Sequence, residues 1–137
     1  MQSEKNKAVV RRFNKECIEQ GIPASFEELL AEEVINHAAP PGSPNGRASF
    51  YYFLNDVLRK GFPDLRVEIL SQIAEGEQVA TRKRISATHT GAILGIAPTQ
   101  KKVQIDVIDI IRLENGRYAE HWGQSNFAEV IKGLAGK

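Results

Sequence analysis

With 137 residues, 42% of them hydrophobic and 26% charged, the chain has the size and composition of one globular domain, residues 1–137, and is too short for two independent cores. A formal charge of +1 gives no electrostatic reason to expect nucleic acid or an anionic membrane as a partner. The lone cysteine, Cys17, excludes an internal disulfide and a cysteine metal cluster. The charged start Met1-Gln2-Ser3-Glu4-Lys5 runs into no apolar stretch of signal-peptide or membrane-spanning type, so a cytoplasmic location is expected.

In chain order, apolar residues at Val9, Val10, Phe13, Cys17 and Ile18 make one helical stripe from about Ser3 to Gln20, which Gly21 and Pro23 end. Ser25, with Glu28 three positions later, has the pattern of a capping box and predicts a second, short helix. Val34-Ile35-Asn36-His37 is a brief extended piece, stopped by the loop Pro40-Pro41-Gly42-Ser43-Pro44-Asn45-Gly46. A third helix, rich in aromatics, is expected from roughly Arg47 to Lys60, closed by Gly61-Phe62-Pro63-Asp64. The period then changes to that of strands: Leu65 to Ala74, Val79 to Thr88, Val103 to Leu113 and Arg117 to Asn126, with a short helix over Phe127 to Leu134. Three helices and a short strand followed by four long antiparallel strands predict an α+β layer, with helices on one face of a bent sheet.

The last hairpin carries the most information. One alternating set in its first strand is Val103, Ile105, Val107, Asp109, Ile111 and Leu113, apolar throughout except for Asp109. A lone carboxylate on an apolar face is costly to bury without a partner, so Asp109 needs one. A three-residue loop with Gly116 in a bulge pairs Asp109 with His121 and Val107 with Gly123. A two-residue Asn115-Gly116 turn instead pairs Asp109 with Trp122 and moves His121 to the other face. The first register is preferred, because it sets small residues opposite large ones and gives the carboxylate a proton-sharing neighbour. The pair then reads in two ways. It is a buried structural contact in a filled core, which predicts no cavity beside Asp109. Or Gly123 leaves room for a ligand above a carboxylate-oriented imidazole that carries protons near neutral pH.

Phe62-Pro63-Asp64-Leu65, Thr88-His89-Thr90-Gly91, Leu94-Gly95-Ile96-Ala97-Pro98-Thr99, Asp109-Ile110-Ile111-Arg112-Leu113-Glu114-Asn115-Gly116 and His121-Trp122-Gly123 follow one another in that order. Together they resemble the SnoaL-like polyketide cyclases of the nuclear transport factor 2-like superfamily, over nearly the whole chain. The resemblance implies a cone-shaped α+β fold and a homodimer that packs through the sheet. It also implies ring closure by intramolecular aldol condensation without metal or cofactor. Carried over by position, the pocket residues are His37, Asp109 and His121, while Gly123 stands where the family's acid/base Asp is expected. That departure means the usual cyclase mechanism does not simply transfer.

The leading expectation is therefore a small-molecule lyase, isomerase or cyclase working next to a carbonyl. His121 would move the proton, Asp109 would orient it, and His37 would donate to the developing oxyanion. The competing class is a non-catalytic dimeric binding module for an apolar metabolite, favoured by Gly123. Phe13, Tyr51, Tyr52, Phe62, Val107 and Trp122, with Gly123, are the candidate pocket lining for a hydrophobic small molecule. His37, Asp109 and His121 also have the composition of a two-histidine, one-carboxylate metal site, but no ligand-spacing motif supports one. His89 reads as a loop-fixing hydrogen bonder and Cys17 as core. The cluster Arg82-Lys83-Arg84 reads as solvated strand.

Overall fold

A computed structural model describes residues 2–39, 42 and 45–136. The expected loop positions Pro40, Pro41, Ser43 and Pro44 lie outside the described residues. The first helix runs over Gln2–Phe13 and continues as a π-helical stretch over Asn14–Glu19. Its stripe puts Val10, Phe13, Cys17 and Ile18 into the core, each 5% exposed or less. The second helix spans Pro23–Leu29 and contributes Phe26 and Leu29. The third runs over Arg47–Tyr51, a π-helical Tyr52–Leu58 and Arg59–Gly61, and the fourth, C-terminal one over Phe127–Leu134. The three N-terminal helices and the C-terminal helix fall within a few residues of their expected limits.

Ser25 and Glu28 do not form the expected capping box. Pro23 opens the second helix, with no side-chain cap. The ring nitrogen of a proline has no N–H to satisfy, so the first turn needs less capping. Both side chains instead tie the second helix to the first. Ser25 Oγ donates to Glu16 (2.7 Å), and Glu28 pairs with Arg12 (2.7 Å).

Five strands form one sheet in the order β1-β5-β4-β3-β2, with β1 Leu30–Asn36, β2 Arg66–Glu75, β3 Gln78–Thr88, β4 Lys102–Glu114 and β5 Arg117–Ser125. Strands β2 to β5 make the expected antiparallel meander. The brief extended piece, however, is a full strand that joins the sheet parallel to β5, with Asn36 opposite His121. One sheet face lies under the helices. There Phe13 stacks on Tyr118 (4.2 Å between ring centroids) and Phe50 meets His121 edge-on (5.6 Å). Leu30, Val34, Val79, Ile85, Ile105, Ile111 and Leu113 complete this core, each side chain contributing about 1.5–3 kcal/mol on burial. Among the described residues no helix is long and apolar enough to cross a membrane.

The last hairpin combines the two registers considered from sequence. Glu114 pairs with Arg117 across a two-residue Asn115-Gly116 turn, with φ of +53° and +77° at the two positions, as a type I′ turn requires. Leu113 pairs with Tyr118, but Arg112 pairs with Glu120, so Ala119 is an extra residue in a β-bulge. The bulge restores the parity that the short turn removes. Asp109 consequently lies opposite Gly123 rather than His121, and His121 lies opposite Ile111, yet Asp109 and His121 still share the inner face. The preferred register is corrected by two residues while its consequence, a carboxylate beside an imidazole, is kept.

Candidate functional site

Four strands and one helix bring the polar group of the inner face together. Strand β4 presents Asp109 between Val107 and Ile111. Strand β5 presents His121 diagonally across from it, folded over Gly123. A Cβ at position 123 would stand 3.1 Å from His121 Cε1, 3.2 Å from its Nε2 and 3.5 Å from Asp109 Cβ. The space that the missing side chain leaves is therefore taken by the imidazole. His121 Nε2 is 3.6 Å from Asp109 Oδ2, an ion-pair distance that is too long for a hydrogen bond.

Strand β3 adds the partner that sequence reading missed. Lys83 Nζ lies 3.2 Å from Asp109 Oδ2 and donates to Asn14 Oδ1 at 2.7 Å. Asn14, the first residue of the π-helical stretch, donates in turn to the Val10 carbonyl (2.9 Å). Both ends of the ion pair are buried: the side chains of Lys83 and Asp109 are 5% and 6% exposed, against 17% for His121. Lys83 was grouped by sequence with solvated Arg82 and Arg84. Yet it shares the inner set Val79, Thr81, Lys83, Ile85 and Ala87, and the alternation that singled out Asp109 would have singled it out too.

Burial alone would push the Asp109 carboxyl up. The adjacent Lys83 ammonium and His121 outweigh it and hold the group below the ordinary aspartate value. Asp109 is therefore a carboxylate at neutral pH. Its Oδ1 is buried and, among the described residues, has no hydrogen-bond partner, an acceptor left available for a donor. Tyr118, wholly buried beneath Phe13, has its phenol pushed well up, by burial first and then by the Asp109 charge, and stays neutral. Cys17 is fully buried with its thiol pushed up to about 12, which fits the expected core role.

The expected pocket residues divide among several places. Phe13 packs on the inner face against Tyr118, Val107 belongs to the same alternating set of β4 as Asp109, and Phe62 is buried edge-on to His89. Tyr51 and Tyr52 are 40% and 60% exposed and line a surface groove of about 640 Å³, with Pro23, Phe26, Glu27 and Arg47. A second groove, of about 530 Å³, is lined by Asp64, Arg66, Ser86, Thr88, Lys102 and Gln104 among others. Neither groove touches Asp109 or His121.

His37 is not part of the inner cluster. It is the first residue past β1 and lies against the outer face. There its ring stacks on Trp122 (4.9 Å, 9° between planes) and its Nε2 lies 2.8 Å from Glu120. Trp122 is likewise an outer-face residue, paired with Ile110. The side chain at this end of β1 that does reach His121 is Asn36, whose Oδ1 lies 2.8 Å from His121 Nδ1. The separation also divides the two-histidine, one-carboxylate set considered as a metal site. Among the described residues no group of three His, Cys, Asp or Glu side chains is placed to hold a metal ion. His89 does fix its loop, with Nδ1 2.9 Å from Thr99 Oγ1 and accepting the Thr99 N–H (3.2 Å).

Helices laid on one face of a five-stranded antiparallel and parallel sheet give the chain an α+β fold of the nuclear transport factor 2-like type. The family model for SnoaL-like polyketide cyclases matches residues 8–134, and the chain belongs to that family. Among solved structures it is similar to a proposed SnoaL-like polyketide cyclase from Jannaschia sp. CCS1, at 22% identity and a TM-score of 0.84, over 98% of this chain and 94% of that one. AclR, a proposed hydroxylase from Streptomyces galilaeus, matches at 22% identity and a TM-score of 0.83, over 98% of both chains. IdmH, a proposed polyketide cyclase from Streptomyces antibioticus, matches at 23% and 0.77, over 96% of this chain and 99% of that one. At these identities the likeness is one of fold. No curated protein matches the sequence.

Proposed function

We propose that the protein is a cytoplasmic, cofactor-independent lyase, isomerase or cyclase that moves a proton at a carbon next to a carbonyl, with His121 as the proton carrier. One observation carries this reading: a buried aspartate held ionised by Lys83 stands 3.6 Å from Nε2 of an imidazole side chain that is 17% exposed. His121 Nε2 takes the proton from the activated carbon and becomes an imidazolium beside the Asp109 carboxylate. The enolate formed is balanced by that imidazolium, while Lys83 continues to balance Asp109. The cluster and substrate together remain neutral, so the step creates no net charge inside the domain. In a cyclisation, the enolate carbon attacks a second carbonyl of the same molecule and forms the C–C bond. The alkoxide then takes the proton back from Nε2.

Solvent exchange reads the first step directly. A panel of β-keto esters and aromatic methyl ketones in D₂O is followed by NMR at the α-carbon. The protein is expected to accelerate exchange with at least one member, and His121→Ala to lose about 100-fold or more of that rate. Equal rates for the two proteins would refute the assignment.

A second reading, a non-catalytic binding module for an apolar metabolite, is favoured by Gly123 and by the imidazole closing over it. A ligand recovered chemically unaltered after prolonged incubation would support this one instead. In either case a homodimer through the outer sheet face is proposed, because Ile108 and Ile110 are 56% and 39% exposed there beside Trp122. Sedimentation should give a dimer, and Ile108→Lys a monomer.

A further inference from the structure

The contacts of His121 fix which of its ring nitrogens carries a proton, and the arrangement has a chemical consequence. Asn36 Oδ1 accepts the Ala38 backbone N–H at 3.0 Å, and the same oxygen lies 2.8 Å from His121 Nδ1. A backbone N–H can only donate, so the Ala38 contact fixes which end of the Asn36 amide is oxygen. That oxygen can only accept, so Nδ1 of His121 must carry a proton. Asn36 is itself held in register, since its backbone N–H donates to Asn45 Oδ1 (3.0 Å) and it pairs with His121 across the parallel β1–β5 edge.

We infer that Asn36 is a positioning residue that locks neutral His121 as the Nδ1–H tautomer, leaving Nε2 as the only ring nitrogen that can take or give a proton. The lone pair of Nε2 then lies on the Asp109 and Gly123 side of the ring, the side of the inner cluster. In the other tautomer Nε2 would already be protonated and the basic nitrogen would be Nδ1, turned to the sheet edge. A free imidazole prefers the Nε2–H form, so Asn36 opposes the intrinsic preference. The groups facing His121 are Asp109 from β4, with Lys83 of β3 behind it, Asn36 from β1 and the Phe50 ring from the third helix. None of the others presents an acceptor to Nδ1 in place of Asn36. The catalytic consequence rests on the proton-carrier role proposed above, whereas the tautomer itself does not.

Long-range ¹H–¹⁵N correlation spectra of the ring nitrogens test this, with the other two histidines as references. His89 accepts the Thr99 N–H at Nδ1 and must show the opposite, Nε2–H form. Exposed His37 reports an outer-face imidazole. His121 is expected as Nδ1–H in the wild type, and as Nε2–H or a mixture in Asn36→Ala, with the exchange rate reduced about 10-fold. Asn36→Asp retains an acceptor for both N–H groups. It should keep the Nδ1–H form, since a carboxylate oxygen can only accept. An Nε2–H signal for His121 in the wild type, or an unchanged tautomer in Asn36→Ala, would overturn the inference. If the tautomers behave as stated but His121→Ala leaves exchange unchanged, the proton-carrier reading fails and the positioning of Nδ1 by Asn36 stands.

Discussion

Each face of the sheet carries a histidine, a carboxylate and a basic side chain in contact, and the two groups differ chiefly in their burial. On the outer face, Arg112 and His37 grip Glu120 at 2.6 and 2.8 Å, with side chains 27%, 41% and 21% exposed. On the inner face, Lys83 and His121 stand 3.2 and 3.6 Å from Asp109, with side chains 5%, 17% and 6% exposed. Ranked by distance, the outer group is the stronger. Ranked by the consequence of removing one member, the inner group is, because water screens an exposed charge that loses its partner and cannot reach a buried one. Short contacts between exposed groups organise a surface. Looser contacts between buried groups set protonation states.

The largest expected effect is on stability. Asp109→Leu leaves the Lys83 ammonium buried and unpaired, and should cost about 3–5 kcal/mol in urea denaturation. Adding Lys83→Met removes the stranded charge and should recover most of that loss. Glu120→Gln on the outer face should lower the denaturation midpoint far less, since water screens the exposed charges it leaves. A comparable loss from Glu120→Gln would break the contrast between the faces.

Acid should separate the faces next. The folded Asp109 carboxyl sits below its unfolded value, so its contribution is fully present above the unfolded pKa of about 4. That contribution is lost as pH falls through the folded value. Glu120 is also held low, by hydrogen bonds from His37 and then Arg112, so it loses stability in the same direction. High salt should flatten the outer part of this acid limb and leave the inner part, since screening acts on exposed charges. Denaturation midpoints at low and high salt in the wild type and Glu120→Gln measure both parts. An acid limb wholly abolished by salt would contradict an inner contribution.

A smaller change probes the geometry of the inner pair. In Gly123→Ala the new methyl, at 3.1–3.2 Å from the imidazole, must push the ring aside by a few tenths of an ångström. The expected cost is about 1 kcal/mol in stability, with a larger proportional loss in α-proton exchange than in unfolding free energy. An unaltered exchange rate would mean that the ring position is not critical. His37→Ala, the smallest effect expected, should change neither quantity appreciably.

The elements were legible because their signals are local. Alternation found β2 to β5, the stripe Val10–Phe13–Cys17 found the first helix, and the family motifs implied the fold. Asp109 was legible for the same reason, as the one carboxylate in an apolar set. What escaped depends on parity and on distant partners. The bulge at Ala119 leaves no clear composition signal, yet it decides which face His121 occupies. The parallel docking of β1 pairs residues some 85 positions apart in the contact between Asn36 and His121, so nothing local distinguishes Asn36 from His37. The expected oxyanion donor, His37, is the residue just past that strand, and it lies against the outer face. Lys83 was readable by the logic applied to Asp109, but the arginines on either side of it disguised its position.

The central claim is that chemistry belongs to the inner cluster and not to its outer counterpart, and a paired histidine comparison tests it. The rate of α-proton exchange in D₂O is measured for His121→Ala and His37→Ala on whichever β-keto ester or aromatic methyl ketone the wild type turns over fastest. The account predicts a loss of about 100-fold or more for His121→Ala and a rate within about two-fold of wild type for His37→Ala. Equal losses in the two variants, or a loss confined to His37→Ala, would contradict it.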